Sequence, residues 1–207
     1  DYPVQVVSCG VPFLFIPVKS LAQVKTRLAQ TLPLPERAGF IHDTARRIVA
    51  ELRGVADLTP ILLTPDDEVA RWAKMWGVAC LREQQTGLNQ ALDLARHSLT
   101  QFEALLIVPA DLAWFGREDA LAMMALAHAA PACVVIAPDR HGRGTNALLI
   151  KPPLALPLRY GENSAHAHAR AAQTAGLPVY WYASGATALD VDHPDDLILF
   201  QAAPFVL

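Results

Sequence analysis

The sequence predicts an α/β protein, a mostly parallel sheet covered by helices on both faces, with one antiparallel strand late in the chain. Three observations lead there. Short apolar runs alternate with segments whose apolar residues recur every three or four positions, the pattern of strand–helix–strand units. The runs at 11–18 and 104–109 are continuously apolar, as strands buried on both faces are. The connection at 139–144 is too short for a crossover helix, so the strand after it runs antiparallel or leaves the sheet.

Each element follows from local signals. The first strand, 11–18, lies between Gly10 and the polar pair Lys19 and Ser20. A helix over 35–53 opens on Pro35, which suits a first helical turn, carries Ala38, Ile41, Ala45, Ile48 and Leu52 on one face, and stops at Gly54. Residues 60–64 form a short second strand. Asp66, Asp67 and Glu68 complement the amino end of a helix over 66–76, and Gly77 follows its last turn. A third strand covers 78–81, and Leu88, Ala91, Leu92, Ala95 and Leu99 mark the next amphipathic helix. The strand at 104–109 is the most apolar and is placed at the centre. A helix over about 117–130, a strand over 133–137, the antiparallel strand 145–150, a helix from an N-cap at Ser164 to Ala175, a strand at 179–182 and a helix from Pro194 complete the order. Residues 11–207 read as one domain, preceded by a short extension at 1–10.

Composition narrows the class. The 207 residues are 53% hydrophobic and 18% charged, which excludes a disordered chain. A formal net charge of -3 carries no footprint for nucleic acid, and no apolar run reaches the roughly 20 residues of a membrane span. Cys9, Cys80 and Cys133 form no CxxC pair and read as reduced thiols, which points to the cytoplasm. The first ten residues lack the basic start and long apolar stretch of a signal peptide.

The chemistry concentrates on three carboxylates. Asp190 and Asp192 are two residues apart in an extended segment, so both face one way while Val191 faces the other. Asp111 closes the apolar run ending at Pro109 and Ala110, at the carboxyl end of a buried strand, where open α/β sheets bind ligands. Three acidic groups at one sheet edge repel unless a cation compensates them, and oxygen-only ligands favour Mg²⁺ or Mn²⁺. There is no Gly-x-Gly-x-x-Gly after the first strand and no P-loop, which disfavours a dinucleotide dehydrogenase and a P-loop NTPase. His166 and His168, two apart on a helix, do not share a face and read as solvated or packing residues.

Six segments together resemble one family. They are Ile16 to Leu21 with Lys25-Thr26-Arg27-Leu28-Ala29, then Gly87-Leu88-Asn89 with Ala91-Leu92, then Pro109-Ala110-Asp111-Leu112. Ala137 to Leu148, Tyr160-Gly161 through Ser164, and Leu189-Asp190-Val191-Asp192 with Pro194 and Asp196-Leu197 complete the set. The chain is similar here to the 2-phospho-L-lactate guanylyltransferase family, with its phosphoenolpyruvate and 3-phospho-D-glycerate guanylyltransferase relatives, which build the side chain of the deazaflavin coenzyme F(420). Ala113 departs from the family pattern, which has Pro after Asp-Leu, and a local loop change is expected there.

The resemblance implies a three-layer α/β/α sandwich of the nucleotide-diphospho-sugar transferase type and transfer of GMP from GTP to a small phospho-acid. It implies Mg²⁺, as two ions, with Mn²⁺ as the alternative, held by Asp111, Asp190 and Asp192. Lys19, Lys25 and Arg27, with Asp111, are expected to do the phosphate chemistry, the cations cradling the triphosphate. Thr64 and Asn89, each after a strand on the ligand edge, are placed at the guanine. Gly142, Gly144, Thr145 and Asn146 are placed at the active site, where a glycine-rich backbone admits an anion, and Gly161 and Ser164 form a pocket for the acceptor's phosphate or carboxylate. Ser164 also reads as a simple N-cap. Expected partners are GTP, the phospho-acid and a downstream deazaflavin transferase, with a homodimer compatible. The rival readings are a cytidylyl- or molybdopterin-guanylyl-type transferase of the same fold and a non-catalytic GTP-binding module.

Overall fold

A computed structural model describes residues 12–55, 58–83, 87–99 and 102–202. The expected extension at 1–10, Val11 at the start of the first strand, and Cys9 lie outside the described residues. The chain runs β1 (Phe13–Pro17), α1 (Leu34–Leu52), β2 (Thr59–Thr64), α2 (Asp67–Trp76), β3 (Ala79–Arg82), α3 (Leu88–Ser98) and β4 (Leu105–Ile107). It continues through α4 (Arg117–His128), β5 (Cys133–Pro138), β6 (Thr145–Lys151), α5 (Ser164–Thr174), β7 (Val179–Trp181), α6 (Gly185–Ala188) and α7 (Pro194–Ala202).

These strands form a seven-stranded sheet in the order β3-β2-β1-β4-β6-β5-β7, with β4 at its middle. Every pairing is parallel except those of β6, which runs antiparallel to both β4 and β5. The short connection at 139–144 therefore does what its length demands. Along β1 the two-residue period sends Leu14 and Ile16 into one core and Phe13 and Phe15 into the other. The first core is closed by Ile41, Ala45, Ile48 and Leu52 of α1 and by Val69 and Trp72 of α2. The second is closed by Ala91, Leu92 and Ala95 of α3 and by Ala165, Ala169 and Ala172 of α5. Both faces are covered, which is why the strands show no polar alternation.

Two expectations are corrected. The N-cap of α5 is Asn163, at φ 53, and Ser164 is the first helical residue, buried, with its hydroxyl directed at β6. Residues 190–192 belong to no strand. The sheet's last strand ends at Trp181, α6 intervenes, and Val191 is buried beside Leu28 and Ala113, so its packing gives the alternation without ladder hydrogen bonds. The segment after β1 is two 3-10 turns, Leu21–Gln23 and Thr26–Leu28. No described helix is long and apolar enough to cross a membrane.

Candidate active site

The carboxyl ends of β1 and β4 point the same way, and because β6 is reversed its first residues arrive at that same edge. A cavity of about 370 Å³ opens there. Lys19, Lys25 and Arg27 reach it from the turns after β1, Asp111 from the turn after β4, Thr145 and Asn146 from the start of β6, and Asp190 and Asp192 from the segment before α7. Cations and carboxylates that are remote in sequence thus share one wall.

Lys25 is at its centre. Its backbone is left-handed, φ 47 and ψ 46, between the two 3-10 turns, a conformation costing an L residue roughly 1 kcal/mol. The buried Arg37 of α1 steadies it, donating from Nη1 to the carbonyls of Val24 at 2.7 Å and Lys25 at 3.3 Å. From there the side chain turns inward. Nζ donates to Asp111 Oδ2 at 2.6 Å and to Asp192 Oδ1 at 2.5 Å. Burial works against the ammonium, but the two carboxylates outweigh it and hold the pKa above the usual 10.5.

The three aspartates differ in environment. Burial alone would raise Asp192, yet Lys25 and then Arg27, whose Nη1 lies 3.3 Å from Oδ2, hold it below the ordinary carboxylate range. Asp190 is pushed up, first by burial and then by the charges of Asp111 and Asp192, and accepts a bond from Asn146 Nδ2 at 3.3 Å. The carrier segment is fixed from outside the cavity. Asp196 Oδ2 accepts the backbone N–H of Asp192 at 3.0 Å and of His193 at 2.7 Å, while Arg140 Nη1 stands 2.6 Å from Oδ1.

Four expected contact residues sit behind this wall. Thr64 is buried, and its hydroxyl accepts the Asp66 N–H at 3.1 Å. Asp66 in turn caps α2 and accepts the Leu21 N–H at 2.9 Å, tying the turns after β1 to the next helix. Asn89 uses both ends of its amide on the Tyr160 backbone, at 2.8 and 2.7 Å. Gly161 follows at φ 137, and Ser164 Oγ accepts the Thr145 N–H at 2.9 Å. His168 extends this support: it is fully buried, contacts Thr145 Oγ1 at 3.0 Å, and accepts the Arg159 N–H at Nε2. Arg37 had no sequence signal beyond its helix, Arg140 had only its place in the 137–148 segment of the family resemblance, and of the two histidines read as solvated or packing His168 is the buried one, since the work of all three is done on distant partners.

Among the described residues no group of three His, Cys, Asp or Glu side chains is arranged to hold a metal ion as it stands, and the Lys25 ammonium lies between Asp111 and Asp192. The donor chemistry nevertheless fits a hard divalent cation. All three groups offer carboxylate oxygens, and Asp190, raised first by burial and then by its two acidic neighbours, lines the same cavity.

The sequence profile of the family described as Guanylyl transferase CofC like matches residues 13–201. The chain is 38% identical over 193 residues to the phosphoenolpyruvate guanylyltransferase of Rubrobacter xylanophilus, covering 92% of this chain and 94% of that protein. It is 34% identical over 184 residues to the 2-phospho-L-lactate guanylyltransferase of Methanothermobacter thermautotrophicus, covering 88% and 80%. Among solved structures, a Desulfovibrio desulfuricans protein classed as a nucleotide-diphospho-sugar transferase superposes with a TM-score of 0.76 at 16% identity, over 92% of this chain and 86% of that one, a likeness of fold. On a match that runs through the whole sheet and every wall of the cavity, the chain belongs to the guanylyl transferase CofC-like family of nucleotidyltransferases.

Proposed function

We propose that this protein transfers GMP from GTP to a three-carbon phospho-acid, of the class of 2-phospho-L-lactate, phosphoenolpyruvate and 3-phospho-D-glycerate, in the assembly of coenzyme F(420). The observation that supports this most is the meeting of Lys25 and Arg27 with Asp111 and Asp192 in one cavity at the ligand edge of the sheet. Phosphate transfer needs that combination of fixed cations and cation-binding carboxylates, and it needs no covalent help from the protein.

In this reading a phosphate oxygen of the acceptor attacks the α-phosphorus of GTP, the bond to the β-phosphate oxygen breaks, and the electron pair leaves with pyrophosphate. Lys19 and Arg27, both exposed on the cavity wall, bind the triphosphate, Arg27 offering a planar fork and Lys19 a mobile point charge. Asp111, Asp190 and Asp192 would hold Mg²⁺, or Mn²⁺ in its place, which when bound supplies charge neutralisation to the phosphates. Thr145 and Asn146 line the cavity beside Asp190 and are the residues we assign to the acceptor's side. Asn89, Gly161, Ser164 and Thr64 act on ligands by holding that wall and the turns after β1 in place. The product is an acid anhydride of two phosphates, suited to a transferase that passes the acid on to a deazaflavin alcohol.

Incubation with GTP and Mg²⁺ and each of the three acids separately, with pyrophosphate followed continuously, tests the proposal. Release that depends on one of the acids is expected. No release with any of them, from folded protein, overturns it.

A further inference from the structure

The Lys25 ammonium occupies the ground on which a metal ion would be bound. At 2.6 Å from Asp111 and 2.5 Å from Asp192 it joins the two carboxylates as a small cation would, with a side chain only 4% exposed. It brings one charge where a divalent ion brings two, and the nearby Asp190 carboxylate lines the same cavity. We infer that Lys25 is a resident counter-ion: it holds the carboxylates together in the metal-free protein, is displaced from them when the metal and nucleotide arrive, and then turns to the triphosphate. The inference rests on the metal-dependent reading above and adds an order of loading to it.

The fold is prepared for such an exchange. Arg37 grips the carbonyls of Val24 and Lys25, so the backbone can stay in its left-handed turn while the flexible four-carbon side chain moves. Arg27 remains against Asp192 Oδ2 and keeps part of the charge balanced meanwhile. A bare divalent ion gives the expelled ammonium no new anion to pair with, whereas a metal–nucleotide complex brings one. Metal without nucleotide should therefore bind weakly, and the weakness should come from Lys25.

The test is Mn²⁺ binding without nucleotide, read from the paramagnetic resonance of the free ion, on the native protein, Lys25→Met and Asp111→Asn. Lys25→Met is expected to bind at least about tenfold more tightly than the native protein, as befits removal of a positive charge a few ångströms from the ion, and Asp111→Asn to lose binding. Metal-free Lys25→Met should melt lower than the native protein, with saturating Mn²⁺ recovering the deficit. Equal or weaker Mn²⁺ binding by Lys25→Met, with Asp111→Asn still defective, overturns the counter-ion role and leaves the metal site standing. No binding by any form, with or without GTP, removes both. Should Lys25→Met not fold, the ¹⁵N resonance of the native Lys25 Nζ answers the same question. It should change when Mg²⁺ and a non-hydrolysable GTP analogue are added together, and an unchanged resonance overturns the inference.

Discussion

Acidification from pH 7 toward pH 4 asks His168 to accept a proton in a place that has no room for it. The Arg159 N–H donates to Nε2 at 2.8 Å, so that nitrogen must carry a lone pair, and Nδ1 carries the hydrogen toward Thr145 Oγ1 at 3.0 Å. Burial first, and the Arg159 charge second, push the imidazole from its usual 6.5 down to about 4. The unfolded chain takes up the proton at the higher of these values. The stabilisation from a neutral His168 is thus complete above pH 6.5 and drains away as pH falls to about 4. At 1.36 kcal/mol per pH unit that is ~3 kcal/mol, a large part of a domain's stability. Asp66, Asp139 and Asp192, all held below the ordinary 3.8, lose their contributions only at lower pH. Urea unfolding of the native protein and His168→Gln, at half-unit steps from pH 7 to 4.5 and constant ionic strength, isolates the effect. Stability should fall steeply in the native protein and much less in the variant. Parallel slopes would refute the assignment of this transition to His168.

Other perturbations have distinct signatures. Asp111→Ala and Asp190→Ala should each lose at least about 100-fold in pyrophosphate release at saturating Mg²⁺, while Asp190→Ala melts no lower than the native protein because its carboxylate is disfavoured first by burial and then by both acidic neighbours. Asp192→Ala should lose activity and also about 1–2 kcal/mol of stability, limited because Asp192 is 36% exposed and Lys25 keeps Asp111. Asn89→Ala abolishes two hydrogen bonds to the Tyr160 backbone and should lower stability by about 2 kcal/mol in a denaturant melt. In Gly144→Ala the new Cβ would lie 2.8 Å from Asp139 Oδ2. Asp139 cannot turn away without releasing the His141 and Arg143 N–H groups, so a loss of about 1–3 kcal/mol is expected, and an unchanged unfolding midpoint would refute it. Asp196→Ala should raise the Mg²⁺ concentration needed for half-maximal rate, whereas Asp196→Asn, which keeps an oxygen for the Asp192 and His193 amides, should restore most of it.

The sheet was legible because burial on both faces leaves a local mark: an apolar run without alternation needs no knowledge of its partners. The reversed β6 was legible for an equally local reason, the length of the chain between Pro138 and Thr145. The place of Asp111 at the ligand edge could be anticipated from where its strand ends, whereas Asp190 and Asp192 lie in no strand and reach that edge through the packing of Val191. What these side chains are doing could not. Lys25 reads in sequence as a solvent-facing phosphate binder, and only Arg37 on one helix and Asp192 far along the chain turn it inward. Asn89 and Ser164 look equally available for a ligand, yet backbone groups of Tyr160 and Thr145 engage them. Hydrogen bonds between distant segments leave no periodicity behind.

Lys25 and Asp192 are 167 positions apart, and β7 closes the sheet at Trp181, before the chain has reached Asp190. During synthesis, at roughly 5–20 residues per second, every strand of the sheet is made before the two carboxylates of the 190–192 segment that line the cavity. Until the segment bearing Asp190 and Asp192 docks, the cavity has one of its three carboxylates, so its charge pattern is completed by the last part of the described chain to be made.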